Sequence, residues 1–135
     1  MKITPILFVE AIELCLPFWT EQLGFQKTVE VPEGDKIGFV ILVHGESEVS
    51  LQTLSGRAAD FKTDSQLGCG SSTLFIEVDD FDDLRKRVKS APVIIPERIT
   101  FYGMREIGVQ EPGGHLLVFA AKEPMAEDPA APRQA

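Results

Sequence analysis

The stretch Leu7-Phe8-Val9-Glu10 returns 67 positions later as Leu74-Phe75-Ile76-Glu77. In a chain of 135 residues, a repeat of that period makes each half one supersecondary unit built to a common pattern. Both copies read as strands, with side chains pointing alternately to opposite faces. A helical segment follows each. The first is predicted over Glu13 to Gln22, because Ile12, Leu16, Trp19 and Leu23 fall on one face at helical spacing. Pro17 belongs in the first turn or at a bend, and Gly24 closes the helix as a left-handed cap. The second is predicted over Phe81 to Lys89. Asp79 or Asp80 caps it, Asp82 and Asp83 occupy the first turn, and Lys86, Arg87 and Lys89 the last, an order that suits the helix dipole. Phe81, Leu84 and Val88 form its buried stripe.

Three strand-like runs follow each helix. They are Phe25 to Val31, Lys36 to His44 and Glu48 to Leu54 in the first half, and Val93 to Ile95, Met104 to Gln110 and His115 to Ala121 in the second. Turns are marked by Pro32-Glu33-Gly34-Asp35, His44-Gly45-Glu46 and Pro112-Gly113-Gly114. Each half is therefore β-α-β-β-β. The expected fold is α+β: two tandem modules forming an eight-stranded cupped mixed sheet with helices on the outside. Module one spans 1–54 and module two 73–121 of a single domain. The Gly-, Ser- and Asp-rich stretch 55–72 reads as a linker, and 122–135, with three Pro and four Ala, as a disordered tail.

Composition narrows the function. Hydrophobic residues make up 44% and charged residues 25%, as in globular proteins. The 13 basic residues against 21 acidic ones give a net charge of -8, so the basic footprint of a nucleic-acid binder is missing. The 122–135 stretch carries only -1 of that charge, which leaves the acidity on the folded part and biases it toward cations. The apolar run Ile6 to Val9 is too short for a membrane span or a signal-peptide core. Cys15 and Cys69 show no metal-type spacing. They read as reduced thiols of a cytoplasmic protein, with a bridge between them left open.

Two segments carry a resemblance. Leu16-Pro17-Phe18-Trp19-Thr20-Glu21-Gln22-Leu23-Gly24-Phe25 resembles a helix ending in an aromatic pair and then Leu-Gly-Phe. Tyr102-Gly103-Met104-Arg105-Glu106, running on to Glu111-Pro112-Gly113-Gly114-His115, resembles an aromatic-Gly-x-Arg-Glu strand and an Asp-Pro-Asp-Gly turn, with Glu111 and Gly113 in place of the aspartates. Both are features of the vicinal-oxygen-chelate superfamily, which includes glyoxalase I, bleomycin-resistance proteins and extradiol dioxygenases. The chain is similar to it over residues 3 to 121. Phe18, Trp19 and Phe25 are expected to pack against the sheet, and the turn glycines to be backbone requirements.

The resemblance implies a cleft in which metal-dependent members hold a divalent ion. The ligands come from the first and last strand of each module, and the ion polarises a substrate with two neighbouring oxygens. Counted onto this chain, the positions fall on Thr4, Thr73, Val118 and Ser50, or Gln52 if the register slips by two. Val cannot ligate, and neutral hydroxyls and amides bind such ions weakly. No catalytic metal and no other cofactor is expected. His44 and His115 read as turn or surface residues.

Strand alternation turns Thr4, Ile6, Phe8, Thr73, Phe75, Leu116 and Val118 to the cleft, with Leu7, Val9, Leu117 and Phe119 under the helices. The candidate ligand-binding residues are Thr4, Phe8, Ser50, Gln52, Thr73, Phe75, Tyr102, Arg105, Glu106 and Val118. Arg105 and Glu106 face opposite ways, in salt bridges or as an anion-binding arginine and a general base. Glu10 and Glu77, near strand ends, cap helices or meet a cation. Two functions follow. One is a small-molecule binding protein, resembling bleomycin-resistance proteins, that takes a cationic or aromatic ligand as a homodimer. The other is a divalent-metal-dependent lyase, isomerase or dioxygenase with displaced ligands.

Overall fold

A computed structural model of the chain describes residues 1–62, 65–66 and 68–123. The element order is β1 (Ile6–Val9), α1 (Ile12–Pro17), a π-helical turn (Phe18–Gln22), β2 (Gln26–Glu33), β3 (Lys36–His44), β4 (Ser47–Thr53), α2 (Leu54–Phe61), β5 (Thr73–Glu77), α3 (Phe81–Arg87), β6 (Val93–Ile99), β7 (Met104–Gln110) and β8 (Leu116–Lys122). The eight strands form two four-stranded mixed sheets, ordered β1-β4-β3-β2 and β5-β8-β7-β6. In each, the first strand pairs parallel to the last, and the remaining pairs are antiparallel hairpins. Pro32 and Pro96 lie in β2 and β6, both sheet-edge strands, where a missing N–H disrupts no inner ladder.

The chain forms two compact units. One is 1–72 together with 111–115; the other is 73–110 together with β8. In the first, Leu7 and Val9 on β1, Val40 and Leu42 on β3, and Val49 and Leu51 on β4 are buried on one sheet face. Ile12, Cys15, Phe18 and Trp19 complete that core. Pro17 ends α1 because its ring nitrogen has no proton to donate. The chain continues as a wider turn, with Leu23 N–H donating to the Phe18 carbonyl at 3.0 Å. That widening rotates the buried stripe, so Leu16 and Leu23 are only half-buried while Cys15 and Phe18 are enclosed. Gly24 takes the left-handed conformation at φ 84°.

The turn 111–115 departs most from expectation. The sequence places His115 at a turn or on the surface; it does follow the 112–114 turn, but it is 1% exposed. Ser72 N–H donates to its Nδ1 at 2.8 Å, so Nε2 carries the proton and donates to the Phe8 carbonyl at 2.9 Å. Glu111 is buried too. It accepts the Trp19 indole N–H at 3.2 Å and the His115 backbone N–H at 3.0 Å. Gly113 is forced by contact: a Cβ there would lie 2.5 Å from Val9 Cγ1.

In the second unit Leu117 and Phe119 on β8, Ile107 and Val109 on β7, and Phe81, Leu84 and Val88 from α3 and its end are buried. Asp80 caps α3 by accepting from Asp83 N–H at 3.0 Å. Neither Glu10 nor Glu77 caps a helix: the N-caps of α1 and α3 are Ala11 and Asp80. β6 runs on to Ile99, beyond the short strand expected. β8 extends to Lys122, so the expected tail begins inside a strand, and 124–135 lie outside the described residues.

The stretch expected as a linker holds α2 at its start. Thr53 caps it, accepting from Gly56 N–H at 3.0 Å, and Lys62 ends it at φ 51°. Phe61 on α2 meets Phe8 edge-to-face with ring centroids 6.0 Å apart. The buried Arg57 guanidinium lies 5.5 Å from the Phe8 ring centroid and 5.6 Å from that of Phe61. The helix thus packs on the face opposite α1. No helix among the described residues is long and apolar enough to cross a membrane.

Thr53→Ala removes the cap and is expected to cost about 1 kcal/mol, with faster hydrogen exchange at the α2 amides than elsewhere. Cys15 is free, and burial, with the Glu111 charge second, pushes its thiol up to about 12. Thiolate is the reactive form, so iodoacetamide at pH 8 should modify Cys69 in the folded protein and spare Cys15 until denaturant is added. Between pH 9 and 12 the folded chain keeps a Cys15 proton that the unfolded chain releases, so denaturant-measured stability should fall as pH rises through that window.

Candidate functional site

The first unit's open sheet face carries a cleft of about 580 Å³. Its floor is Ile6 on β1, Gln52 on β4 and Phe39 on β3; one wall is Val31, Pro32 and Glu33 on β2; α2 supplies Gly56, Ala59, Asp60 and Phe61. Strand pairing explains the floor, since Phe8, Gln52 and Phe39 lie in register across β1, β4 and β3. Gln52 is enclosed, with 7% exposure.

The side chains that hold the start of α2 in place are polar and mutually satisfied. Glu33 accepts the Thr53 hydroxyl at 3.0 Å through Oε2 and the Ser55 hydroxyl at 2.8 Å through Oε1. Two glycines make room for that carboxylate. A Cβ at Gly38 would lie 2.8 Å from Glu33 Cβ, and one at Gly56 2.7 Å from Glu33 Oε2. Thr4 lies ahead of β1, and its hydroxyl donates to Glu48 Oε1 at 3.3 Å. Lys2 donates to the other Glu48 oxygen, and that bond holds the Glu48 carboxyl below its ordinary pKa. Ser50 is buried on the same strip, opposite Ile6.

The candidates divide between the two units. Thr4, Phe8, Ser50 and Gln52 share the open face of the first sheet. In the second unit, Phe75 and Val118 face each other across β5 and β8, with Glu106 on the same face of β7. Glu106 is 2% exposed and pairs with the half-exposed Arg98, whose Nε and Nη2 both reach Oε1 at 2.7 Å; Tyr102 donates to Oε2 at 3.3 Å. Thr73 begins β5. Arg105 lies apart, on the α3 side. It donates to Glu97 at 2.7 Å and to Asp82 at 3.0 Å and lies 4.5 Å from the centroid of the Phe81 ring. Glu97 first, then Asp82, raise its pKa.

Pairing also fixes which positions correspond between modules. Phe8 pairs with Gln52 as Phe75 pairs with Val118, and Ile6 with Ser50 as Thr73 with Leu116. Gln52, not Ser50, is therefore the counterpart of Val118, and Ile6, not Thr4, that of Thr73. These residues do not fit a catalytic metal: an amide, a hydroxyl and two aliphatic side chains offer no imidazole, carboxylate or thiolate. Among the described residues no three His, Cys, Asp or Glu side chains gather as a metal site. His44, at the end of β3, packs its ring 5.3 Å from Phe25.

Sequence reasoning missed the α2 residues of the cleft, because Ser55 and Gly56 read as a linker. The signal was Thr53 ahead of Arg57-Ala58-Ala59, a cap followed by good helix formers. It also missed the β2 wall, since that edge strand lacks a clear alternation.

A sequence model of the Glyoxalase/Bleomycin resistance protein/Dioxygenase superfamily matches residues 3–119. No curated protein sequence matches the chain. Among solved structures, TioX from Micromonospora sp. ML1 is similar, with 18% identity over 90% of this chain and 98% of that one, at a TM-score of 0.75. A lactoylglutathione lyase from Agrobacterium tumefaciens gives 14% identity, 89% and 92% coverage and a TM-score of 0.70. The bleomycin-binding protein from bleomycin-producing Streptomyces verticillus, complexed with copper(II)-bleomycin, gives 22% identity, 91% and 97% coverage and a TM-score of 0.61. These structural likenesses are of fold; the match over residues 3–119, together with the paired β-α-β-β-β units, makes this chain a member of the Glyoxalase/Bleomycin resistance protein/Dioxygenase superfamily.

Proposed function

We propose that the protein binds a small organic molecule, aromatic or cationic in character, in the cleft beneath α2, without the metal that catalytic members of the superfamily use. The cleft itself carries this reading: about 580 Å³, walled by Phe61, Val31 and Pro32, with Phe39 and Gln52 on its floor. Mostly apolar walls with a few placed polar groups are what small-molecule sites require. Asp60 at the exposed end of α2 supplies an acid at the rim. The net charge of -8 favours a cation on approach. The donor set described above, an amide and a hydroxyl beside two aliphatic side chains, offers a divalent transition metal only weak neutral ligands.

Two features extend the reading. Phe75, Ile99, Phe101 and Tyr102 are exposed on the second unit, apolar surface that suits a homodimer. Cys15 and Cys69 are free thiols, which suits a cytoplasmic protein.

Copper(II)-bleomycin and a panel of aromatic amines should be screened by thermal shift. Binding partners raise the melting temperature in proportion to the logarithm of their concentration above the dissociation constant. For any hit, Phe61→Ala should weaken binding by about tenfold, through loss of an aromatic wall. Asp60→Asn should weaken it less and flatten its salt dependence. A panel without a single stabilising compound, or lactoylglutathione formation on adding Ni²⁺ or Zn²⁺, would overturn the reading.

A further inference from the structure

We propose that Gln52 is the specificity-determining residue of this cleft, and that it selects a flat aromatic ligand bearing a paired donor–acceptor edge, such as a lactam or carboxamide. The inference rests on the small-molecule reading above.

Gln52 sits in β4 between Phe8 and Phe39, its immediate partners in register on either side. It is 7% exposed, lines the cleft, and its side-chain amide has no hydrogen-bond partner among the described residues. The neighbouring polar groups are committed elsewhere. Both oxygens of Glu33 take the hydroxyls of Thr53 and Ser55, and Thr53 in turn accepts from Gly56 N–H. Asp60 is exposed at the rim rather than at the floor. The Gln52 amide is thus the enclosed group of this cleft whose hydrogen bonds are left for a ligand to make.

An amide has one carbonyl acceptor and two N–H donors on a rigid plane. A lone ammonium satisfies only its oxygen, and a lone carboxylate only its nitrogen. A lactam or carboxamide presents N–H beside C=O and pairs with both at once. Phe39 on the floor and Phe61 and Pro32 along the walls suit the planar ring that would carry that edge. A site whose enclosed amide goes unpaired rejects a hydrocarbon of the same outline, because the polar group then loses water without replacement.

The test uses quinolin-2-one and naphthalene, two fused rings of matching outline, titrated calorimetrically into the full chain. Quinolin-2-one should bind at least about tenfold more tightly, and only it should shift the Gln52 side-chain NH₂ resonances in the ¹H–¹⁵N spectrum. Gln52→Leu should bring the two affinities within about twofold while keeping that for naphthalene. Equal binding of both compounds to the wild type, unmoved Gln52 resonances, or a preference that survives in Gln52→Leu would overturn the proposal while leaving the cleft as a binding site. If neither compound nor copper(II)-bleomycin binds, the cleft reading falls, and this inference with it. Should Gln52→Leu fail to fold, the wild-type resonances decide.

Discussion

The buried carboxylate of Glu111 is the constraint on which the first unit depends. A charge taken out of water is costly unless hydrogen bonds replace its hydration, and here both oxygens are met, by the Trp19 indole and by the His115 backbone. Trp19 is the largest fully buried side chain of the chain's described part, so that bond orients the main aromatic of the core. The His115 ring continues the network to the Phe8 carbonyl and the Ser72 N–H. Removing either partner would leave an enclosed donor or acceptor unmet, at about 1–3 kcal/mol each. The network also explains the departures from the usual Asp-Pro-Asp-Gly turn. Glutamate at 111 has the reach to accept from Trp19, and at 113 Val9 and Cys15 leave no room for a side chain.

The Phe8 carbonyl accepts from His115, and its ring faces Arg57 and Phe61 of α2. One residue of β1 thus links the core network to the helix over the cleft. Strand alternation explains the division: backbone toward the ladder and turn, ring toward the open face, Leu7 and Val9 toward α1. The helix is held at its start by Glu33, Thr53 and Ser55 and at its end by Phe61, with an open cleft between these two attachments.

Much of this was legible in the sequence. The repeat gave the β-α-β-β-β order, and alternation placed Leu7, Val9, Leu117 and Phe119 in the cores, where they are buried. Acidic-then-basic order marked α3. What was not legible depended on tertiary contacts. The first turn of α2 holds Ser55 and Gly56, weak helix formers, yet Gly56 stands there because Glu33 occupies the space a Cβ would take. The path of the Pro112-Gly113-Gly114 turn was invisible too, so a histidine after two glycines read as surface. Periodicity could not choose between Ser50 and Gln52, since a slip of two keeps every side chain on its face; only the pairing with Phe8 decides it.

That choice of register changes the chemistry of the site. The two modules share one pattern, and the positions equivalent under the repeat, Gln52 and Val118, hold an amide and an aliphatic side chain. Neither is a strong metal donor. In the second unit the polar work of the open face has moved to β7 and its flanking turn, where Glu106 is bound by Arg98 and Tyr102 and its hydrogen bonds are spent within the protein. In the first unit no such pairing consumes Gln52. Enclosure without internal pairing separates a residue placed to meet a ligand from one placed to hold a fold. Under the proposed reading Gln52 is placed to meet a ligand, whereas Glu106, Glu111 and Arg105 spend their hydrogen bonds within the protein.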